Sequence, residues 1–347
     1  MTEEIIEKDL PIIDAHHHLW DFSPSLSALP QNTGDPLVAV IRGRPVYLLD
    51  ELFGDTLSGH NIVATVYMEC GSFYRADGPA PLKPIGEVEH ANGAAARSAS
   101  GLYGPIRACS GIVGYADLTL GDEVVPVLQA QVGAGNGRLC GIRVMDPYDD
   151  DQSVLGPILQ SRPGLYLSQD FRRGFRHLET AKLSFDAWVF EPQLDDVLDL
   201  ARAFPNVPII VDHVGTPLGI GRYKGKLVDR FPTWRSKIRA LANCGNVSVK
   251  ISGLSMFYCG LCGPDPKMRL SSEQLATLWR PYVETCIEAF GPSRAMFASN
   301  FPVDGWGADY SVLWNAFKRI TSGASPTDKH WLYHNSAARV YHLREFT

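Results

Sequence analysis

Three adjacent histidines near the amino terminus are the first residues of the chain that could do metal or acid–base chemistry. They are His16, His17 and His18 in the segment IIDAHHHLW. Side chains alternate between the two faces of a β-strand, so Asp14, His16 and His18 are predicted to share one face, with His17 on the other. Two neutral imidazoles at the end of a rigid strand are suited to bind zinc or a similar metal. An exposed or structural histidine cluster is the alternative.

A second set of chemistry-bearing residues lies at the ends of two later apolar segments. His213 ends the segment IIVDHVGTP, and Asn300 and Asp304 lie in ASNFPVDG. Asp304 is predicted to act as a general base toward water or to orient it; the alternative is a turn or a helix N-cap before GADYSVLW. If the strands form one closed sheet, His213 joins His16 and His18, and the three become candidate metal ligands.

Charged and aromatic residues near other predicted strand ends are candidates for substrate binding. They are Glu69, Arg75, Arg143, Asp186, Trp188 and Lys250. An arginine at such a position can bind a substrate carboxylate through two hydrogen bonds. Trp188, together with Trp20, could form an apolar wall for a ring. Each charge alone is as well explained by a structural salt bridge, but together they favour a polar, anionic small molecule as the substrate.

Eight short apolar segments, which must position these residues, alternate with segments of helical periodicity. The predicted strands span residues 11–19, 62–70, 109–118, 139–146, 182–190, 207–215, 247–254 and 295–302. Such alternation predicts parallel strands joined by right-handed crossovers, and eight units close naturally into a (β/α)8 barrel, the TIM barrel. A doubly wound open sheet is the alternative, because closure cannot be read from a sequence.

Four of the connections that follow predicted strands are long. They span residues 20–61, 71–108, 147–181 and 255–272. In a barrel such βα loops stand over the carboxyl-terminal face, where substrates bind, so these insertions are predicted to form pocket walls. No repeat, low-complexity tract or inter-domain linker interrupts the pattern, and residues 1–347 are predicted to form a single barrel domain.

Composition and charge restrict the partners that the chain could have. A formal net charge of -6 gives no basic field to attract nucleic acid or anionic lipid, so neither partner is expected. The amino terminus lacks the features of a secretory signal, and no segment approaches the roughly 20 apolar residues of a membrane span. Seven scattered cysteines are typical of reduced thiols. We expect a cytoplasmic protein, and the sequence leaves open whether it forms a homo-oligomer.

The ordered set of motifs resembles the lactonase-type branch of the amidohydrolase superfamily, which includes 2-pyrone-4,6-dicarboxylate lactonase and sugar-acid lactonases. The motifs are DAHHHLWD, DHVG, KISGL, SNFPVD and HNSAARVYHL, and they run from about residue 11 to 344. The resemblance implies a (β/α)8 barrel in which His16 and His18 match the family's HxH pair. It also implies that His213 matches the later-strand histidine and that Asn300 occupies the place of a catalytic aspartate.

Two departures from the family pattern bear on the metal. Arg143 is the nearest residue to the place where two-metal relatives carry a bridging carboxylated lysine, and Asn300 lacks the charge of an aspartate. A two-metal site is therefore not expected, and two versions stay open. In one, a single divalent metal, zinc or manganese, polarises the carbonyl and acidifies water. In the other, which is metal-free, the histidines donate to the carbonyl and Asp304 or another carboxylate takes the water proton.

The resemblance implies a hydrolase that opens a small lactone, a cyclic carboxylic ester, in the catabolism of an aromatic compound or a sugar acid. A metal-dependent decarboxylase of an aromatic acid, from the same superfamily, is an alternative. Asn300 is an argument against it, since such enzymes are expected to keep both the metal and the last-strand aspartate. A noncatalytic barrel that binds a small molecule is an alternative of another class, and the converging histidines and carboxylates argue against it.

Overall fold

An eight-stranded parallel sheet, with its strands in sequential order, forms the centre of the protein. The computed structural model describes residues 3–28, 36–156, 158–159, 161–262 and 268–346. The strands are β1 (Ile12–His17), β2 (Ile62–Met68), β3 (Arg107–Gly114), β4 (Leu139–Arg143), β5 (Ser184–Ala187), β6 (Ile209–Val211), β7 (Val247–Ile251) and β8 (Ala295–Phe297). Each overlaps one predicted segment, so the predicted strands are confirmed.

The first and last strands meet at the carboxyl-terminal rim of the sheet. His17 forms a parallel bridge with Phe301, just after β8. The backbone N–H of Asn300 donates to the carbonyl oxygen of His16 at 2.8 Å, and that of His18 donates to the carbonyl oxygen of Phe301 at 2.8 Å. These bonds join the two ends of the sheet, which confirms the (β/α)8 barrel; the open-sheet alternative was wrong.

Helices follow every strand and cover the outside of the barrel. They are α1 (Pro36–Gly43), α2 (Leu49–Thr56), α3 (Ile85–Ala99), α4 (Val125–Gly135), α5 (Gln152–Leu155), α6 (Gln169–Phe175), α7 (His177–Ala181), α8 (Leu194–Ala203), α9 (Leu227–Ala242), α10 (Ser272–Phe290), α11 (Tyr310–Ile320), α12 (Pro326–His330) and α13 (Ser336–Val340). Two short strands, Trp20–Asp21 and Val46–Tyr47, pair as an antiparallel ribbon in the first long loop. Among the described residues, no helix combines the length and the apolar character needed to cross a bilayer.

Two apolar layers on opposite faces of the sheet hold the barrel together. Side chains such as Ile13, Val66 and Met296 fill the interior, whereas alternate residues such as Ile112 and Phe185 pack outward in the larger apolar cluster. Parallel strands that are buried on both faces have this nearly continuous apolar composition. The buried charged side chains of the barrel interior, among them Asp186 and Lys250, lie toward the carboxyl ends of their strands, and that is where the candidate site lies.

Candidate active site

An irregularity in β1 determines which of its side chains reach the barrel interior. The register between β1 and β2 shifts between Asp14 and His17. Asp14 points away from the interior and accepts a hydrogen bond from the Tyr310 hydroxyl of α11 at 2.9 Å. The prediction that Asp14 shares the face of His16 and His18 was therefore wrong, because a bulge adds a residue to one strand and re-aims the side chains around it.

The structure brings the predicted histidines together. The Nε2 atoms of His16 and His18 lie 3.3 Å apart, and the ring centroids of His16 and His213 lie 4.6 Å apart. His17 is turned away, as predicted, and its Nε2 lies 2.8 Å from the hydroxyl of Thr65. Two of the three adjacent histidines thus belong to one imidazole cluster with His213.

Each imidazole of this cluster is held through its Nδ1 atom. Nδ1 of His18 lies 2.9 Å from a backbone carbonyl oxygen of β2, and Nδ1 of His213 lies 2.9 Å from the hydroxyl of Ser252. Nδ1 of His16 lies 3.2 Å from the amine of Lys250. These contacts fix the ring orientations. Nδ1 of His16 accepts from the Lys250 ammonium, whereas the Nδ1 contacts of His18 and His213 are of the kind that orients metal-binding histidines.

Burial keeps the three imidazoles neutral at neutral pH. It lowers the pKa of His213 to about 3. Burial, reinforced by the charge of Lys250 for His16 and of Arg143 for His18, also holds the pKa of these two side chains well below the usual range. Neutral imidazoles keep the nitrogen lone pairs that a metal requires.

A layer of buried charges lies beside the histidines at the ends of β2 and β4 to β7. The Lys250 amine is 2.6 Å from Asp186 Oδ1 and 3.1 Å from Asp212 Oδ1. The Arg143 Nε is 2.8 Å from Glu69 Oε1, and its Nη1 is 3.7 Å from Asp212 Oδ2. Two cations therefore form ion pairs with three carboxylates.

The two aspartates of this layer respond differently to burial. Burial raises the pKa of Asp186 to about 6. Burial alone would also raise the pKa of Asp212, but the nearby charge of Lys250 and the contact with His16 hold it well below its usual range. Asp212 is therefore a carboxylate at neutral pH.

The site offers ligands for one divalent metal ion. His16, Asp212 and His213 each contribute one ligand atom to a group whose atoms all lie within 4.8 Å of one another, and His18 lies beside His16. Both carboxylate oxygens of Asp212 are buried, and they face the ion-pair partners Lys250 and Arg143 without an aligned hydrogen bond among the described residues. Imidazole and carboxylate donors suit zinc and, with more oxygen ligands, manganese, so the residues present fit such an ion.

Asn300 and Asp304 form a second polar pair at the end of β8. The amide Nδ2 of Asn300 donates to Asp304 Oδ1 at 3.2 Å, and burial raises the pKa of Asp304 to about 8. The residue flanking the amino end of α11 is Asp309, so the N-cap alternative for Asp304 was wrong. Asn300 has a backbone φ of 54° and His213 one of 55°. Left-handed backbone at non-glycine residues is unfavourable and is found most often at functional sites.

A cavity of about 310 Å³ opens above these residues at the carboxyl ends of the strands. Its polar floor includes His18, Arg143, His213 and Asn300. Its walls come from the loops that follow β1, β4, β5, β7 and β8. Of the four long loops that were predicted to form pocket walls, 20–61, 147–181 and 255–272 do so, whereas none of the residues lining the cavity comes from 71–108.

The residues predicted to bind substrate fall into three groups. Arg143 and Trp188 line the cavity. A second group is buried beneath the floor and does not belong to the described lining; it comprises Glu69, Asp186 and Lys250. The structure does not bring Arg75 to the site, because its side chain lies on the surface in an ion pair with Glu89.

Asp212 is the functional residue that sequence reasoning missed. It directly precedes His213, and the period-two alternation of β6 places it on the interior face together with Ile210, which packs inside the barrel. That alternation was the available signal. His213 follows at left-handed φ, and both neighbours contribute to the same ligand group.

The barrel carries its rim of histidines and carboxylates on the carboxyl-terminal face, where (β/α)8 enzymes have their active sites. The family model described as amidohydrolase matches residues 13–343. The chain therefore belongs to the amidohydrolase family, and the predicted resemblance is confirmed. Members of this family are enzymes that act on small molecules.

Similar proteins cover the chain to different extents. The protein y4mH of Sinorhizobium fredii is 34% identical over 342 residues, which is 96% of this chain and 99% of that protein. An L-fucono-1,5-lactonase of Burkholderia multivorans is 30% identical over 181 residues, 51% of this chain and 57% of that protein. The structure of an amidohydrolase from Burkholderia multivorans with bound zinc has a TM-score of 0.70 at 23% identity, covering 95% of this chain and 99% of that one.

Proposed function

We propose that the protein hydrolyses the ester bond of a small lactone. One observation carries the proposal: His18, Arg143, His213 and Asn300 form the polar floor of a cavity at the carboxyl ends of the barrel strands. Active sites of (β/α)8 enzymes lie on this face. The similarity to a lactonase over about half of its length supports the same reaction class.

The floor supplies donors for the oxygen atom that becomes negative during the reaction. Arg143 and Asn300 both line the cavity and both carry N–H groups. One amide hydrogen of Asn300 is donated to Asp304, which leaves the other for a substrate carbonyl. Donors fixed in place before the reaction stabilise a developing oxyanion far better than mobile water does.

Asp304 is our candidate for the proton acceptor; it does not belong to the described cavity lining, but it is bonded to Asn300, which does. Its pKa of about 8 is close to neutral pH, and its Oδ2 has no hydrogen-bond partner among the described residues. In the proposed step a water oxygen bonds to the carbonyl carbon while Asp304 takes the water proton. The bond from the carbonyl carbon to the ring oxygen then breaks, and the same proton passes to that oxygen. A hydroxy acid results, and Asp304 returns to its starting state.

His16, Asp212 and His213, with His18 beside them, would hold the divalent ion in the metal-dependent version of this proposal. Zinc or manganese, when bound there, would polarise the carbonyl group and lower the pKa of water. Arg143 cannot bridge two ions as a carboxylated lysine does, because its guanidinium is a cation bonded to Glu69. We therefore propose one ion at most.

A lactone panel, assayed with a pH indicator on enzyme of measured metal content, tests the proposal. Acid release that chelator abolishes and zinc restores supports the metal-dependent version, and acid release that is indifferent to chelator supports the metal-free one. Absence of acid release from every lactone would contradict lactone hydrolysis. Carbon dioxide evolution from an aromatic acid would instead support the decarboxylase alternative, against which Asn300 argues.

A further inference from the structure

Apolar side chains surround the cavity above its polar floor. They include Trp20, Phe22, Ile41, Leu159, Trp188 and Met256. Such a wall favours an apolar substrate group, because the transfer of apolar surface from water into an apolar cavity is favourable.

The polar atoms of the two indole walls are already bonded to the protein. The Trp20 Nε1 donates to the carbonyl oxygen of Arg44 at 2.8 Å, and the Trp188 Nε1 donates to the hydroxyl of Thr216 at 3.1 Å. The two side chains therefore offer carbon surfaces to the cavity. A substrate hydroxyl buried against them would lose its hydrogen bonds to water without replacement, which is unfavourable.

The one cation of the cavity lining that the structure describes is already neutralised. Arg143 is bonded through Nε to Glu69 Oε1 at 2.8 Å, and its Nη1 lies 3.7 Å from Asp212. The other buried cation, Lys250, lies below the floor between two aspartates. Among the described residues, a substrate carboxylate in the cavity would therefore have no uncompensated positive side chain to pair with, and transferring that carboxylate out of water would be strongly unfavourable.

We infer that the substrate is an uncharged lactone carrying an apolar substituent, aliphatic or aromatic, and not a sugar lactone or an anionic one. This inference rests on the proposed lactone hydrolysis and names its substrate class. It replaces the anionic substrate expected from the sequence, since the charged residues on which that expectation rested form ion pairs with one another in the fold.

A series of δ-lactones tests this inference on the purified enzyme. Unsubstituted δ-valerolactone is compared with homologues that carry methyl, propyl and pentyl chains next to the ring oxygen, with glucono-1,5-lactone, and with a δ-lactone whose chain ends in a carboxylate. We expect kcat/KM to rise about fourfold for each methylene until the cavity is full. The carboxylate and the polyhydroxylated ring should both lower kcat/KM below that of the matched alkyl lactone.

A charge-introducing variant sharpens the test. Phe22 is half-buried at the cavity wall, so Phe22→Arg should reduce the preference for alkyl chains and raise kcat/KM for the carboxylated lactone. The matched control is Leu102→Arg, which adds the same charge at a leucine that is 84% exposed and lies outside the cavity lining. The control should leave the substrate order of the wild-type enzyme unchanged.

The possible results separate the two proposals. Lactone hydrolysis with a flat chain-length series, or with preference for the sugar or carboxylated lactone, would overturn the apolar substrate class and keep the reaction. If no lactone is hydrolysed, the proposed reaction is wrong. The binding of alkylcyclohexanones, measured by tryptophan fluorescence, then tests the cavity directly. Binding that tightens with chain length would keep the apolar ligand class, whereas binding that does not would overturn it.

Discussion

A methyl group at Gly253 would lie 2.5 Å from the Cβ atom of His213. Gly253 follows β7 in the KISGL motif and has a φ of 71°, and His213 follows β6 in the DHVG motif. The absence of a side chain at Gly253 thus lets His213 enter the imidazole cluster. This contact gives a physical reason why the two motifs occur together in one site.

Replacement of Gly253 by alanine should displace His213. We expect Gly253→Ala to lower kcat/KM on the best lactone about 100-fold, because misplacement of a catalytic group by about 1 Å has an effect of that order. The free energy of unfolding should also fall by about 1–2 kcal/mol from the left-handed backbone alone. Steady-state kinetics and urea unfolding measure the two effects.

Gly291→Ala is the matched control for that variant. Gly291 has the same φ of 71°, but a Cβ atom there would have no neighbour within 4 Å. Gly291→Ala should therefore lose stability, because the backbone of Gly291 (φ 71°, ψ 162°) suits glycine alone, while its kinetics stay those of the wild type. Wild-type activity in Gly253→Ala would show that the position of His213 does not matter for turnover.

The adjacent histidines provide an internal comparison of catalytic and structural roles. His18 lines the cavity, whereas His17 is bonded to Thr65 away from it. We expect His18→Ala to lower kcat/KM by about 100-fold or more, the usual effect of losing one group that stabilises the transition state. His17→Ala should lower the Tm and leave kcat/KM within a few-fold of wild type. Equal activity of the two variants would remove His18 from the proposed mechanism.

Local patterns were sufficient to predict the barrel because its strands are buried on both faces. Such strands are short apolar segments whatever surrounds them, and all eight were found in this way. Closure depends on bonds between His16, His18 and the chain after β8, and no local pattern encodes them. The bulge that turns Asp14 outward likewise depends on the neighbouring strand, so simple alternation gave the wrong face.

The chemistry of the site was predictable in its residue types but not in its charge balance. The sequence shows Arg143 and Lys250 near strand ends, and these cations look available for a substrate carboxylate. In the fold, Arg143 is paired with Glu69, and Lys250 is shared by Asp186 and an aspartate that was missed. Whether a charge is available to a substrate depends on pairing between side chains that are distant in sequence. This pairing cannot be read from a single sequence.

Asn300 stands where the resemblance implies an aspartate, so restoring the charge should strengthen metal binding. We expect Asn300→Asp to retain more zinc than wild type after dialysis against a competing chelator, because a carboxylate beside neutral imidazoles adds an anionic ligand. Atomic emission spectrometry on both proteins measures the retained zinc. Asn300→Leu serves as the control that removes the amide without adding charge. Equal zinc content in wild type and Asn300→Asp would contradict the assignment of this position.

Asp304 should give the enzyme a recognisable pH profile. Burial raises its pKa to about 8, and only the deprotonated form can take a proton from water. We therefore expect kcat/KM to rise as the pH increases and to level off above about 8. Asp304→Asn should lose most of the activity and this rise. A wild-type profile that is flat across this range would exclude Asp304 as the proton acceptor.

The same Asp304 carboxyl group should make the free energy of unfolding fall as the pH increases, whereas it makes kcat/KM rise. The folded protein keeps the Asp304 proton up to about pH 8, whereas the unfolded chain loses it near the ordinary aspartate pKa of 3.8. Between these values the folded state binds more protons than the unfolded state, so stability contributed by this group falls as the pH rises. Urea unfolding of wild type and Asp304→Asn between about pH 5 and about pH 8 should show a smaller decline in the variant. Asp309→Asn removes an exposed aspartate from the same segment and should decline as wild type does; if all three proteins decline equally, the Asp304 carboxyl is not protonated in the folded state.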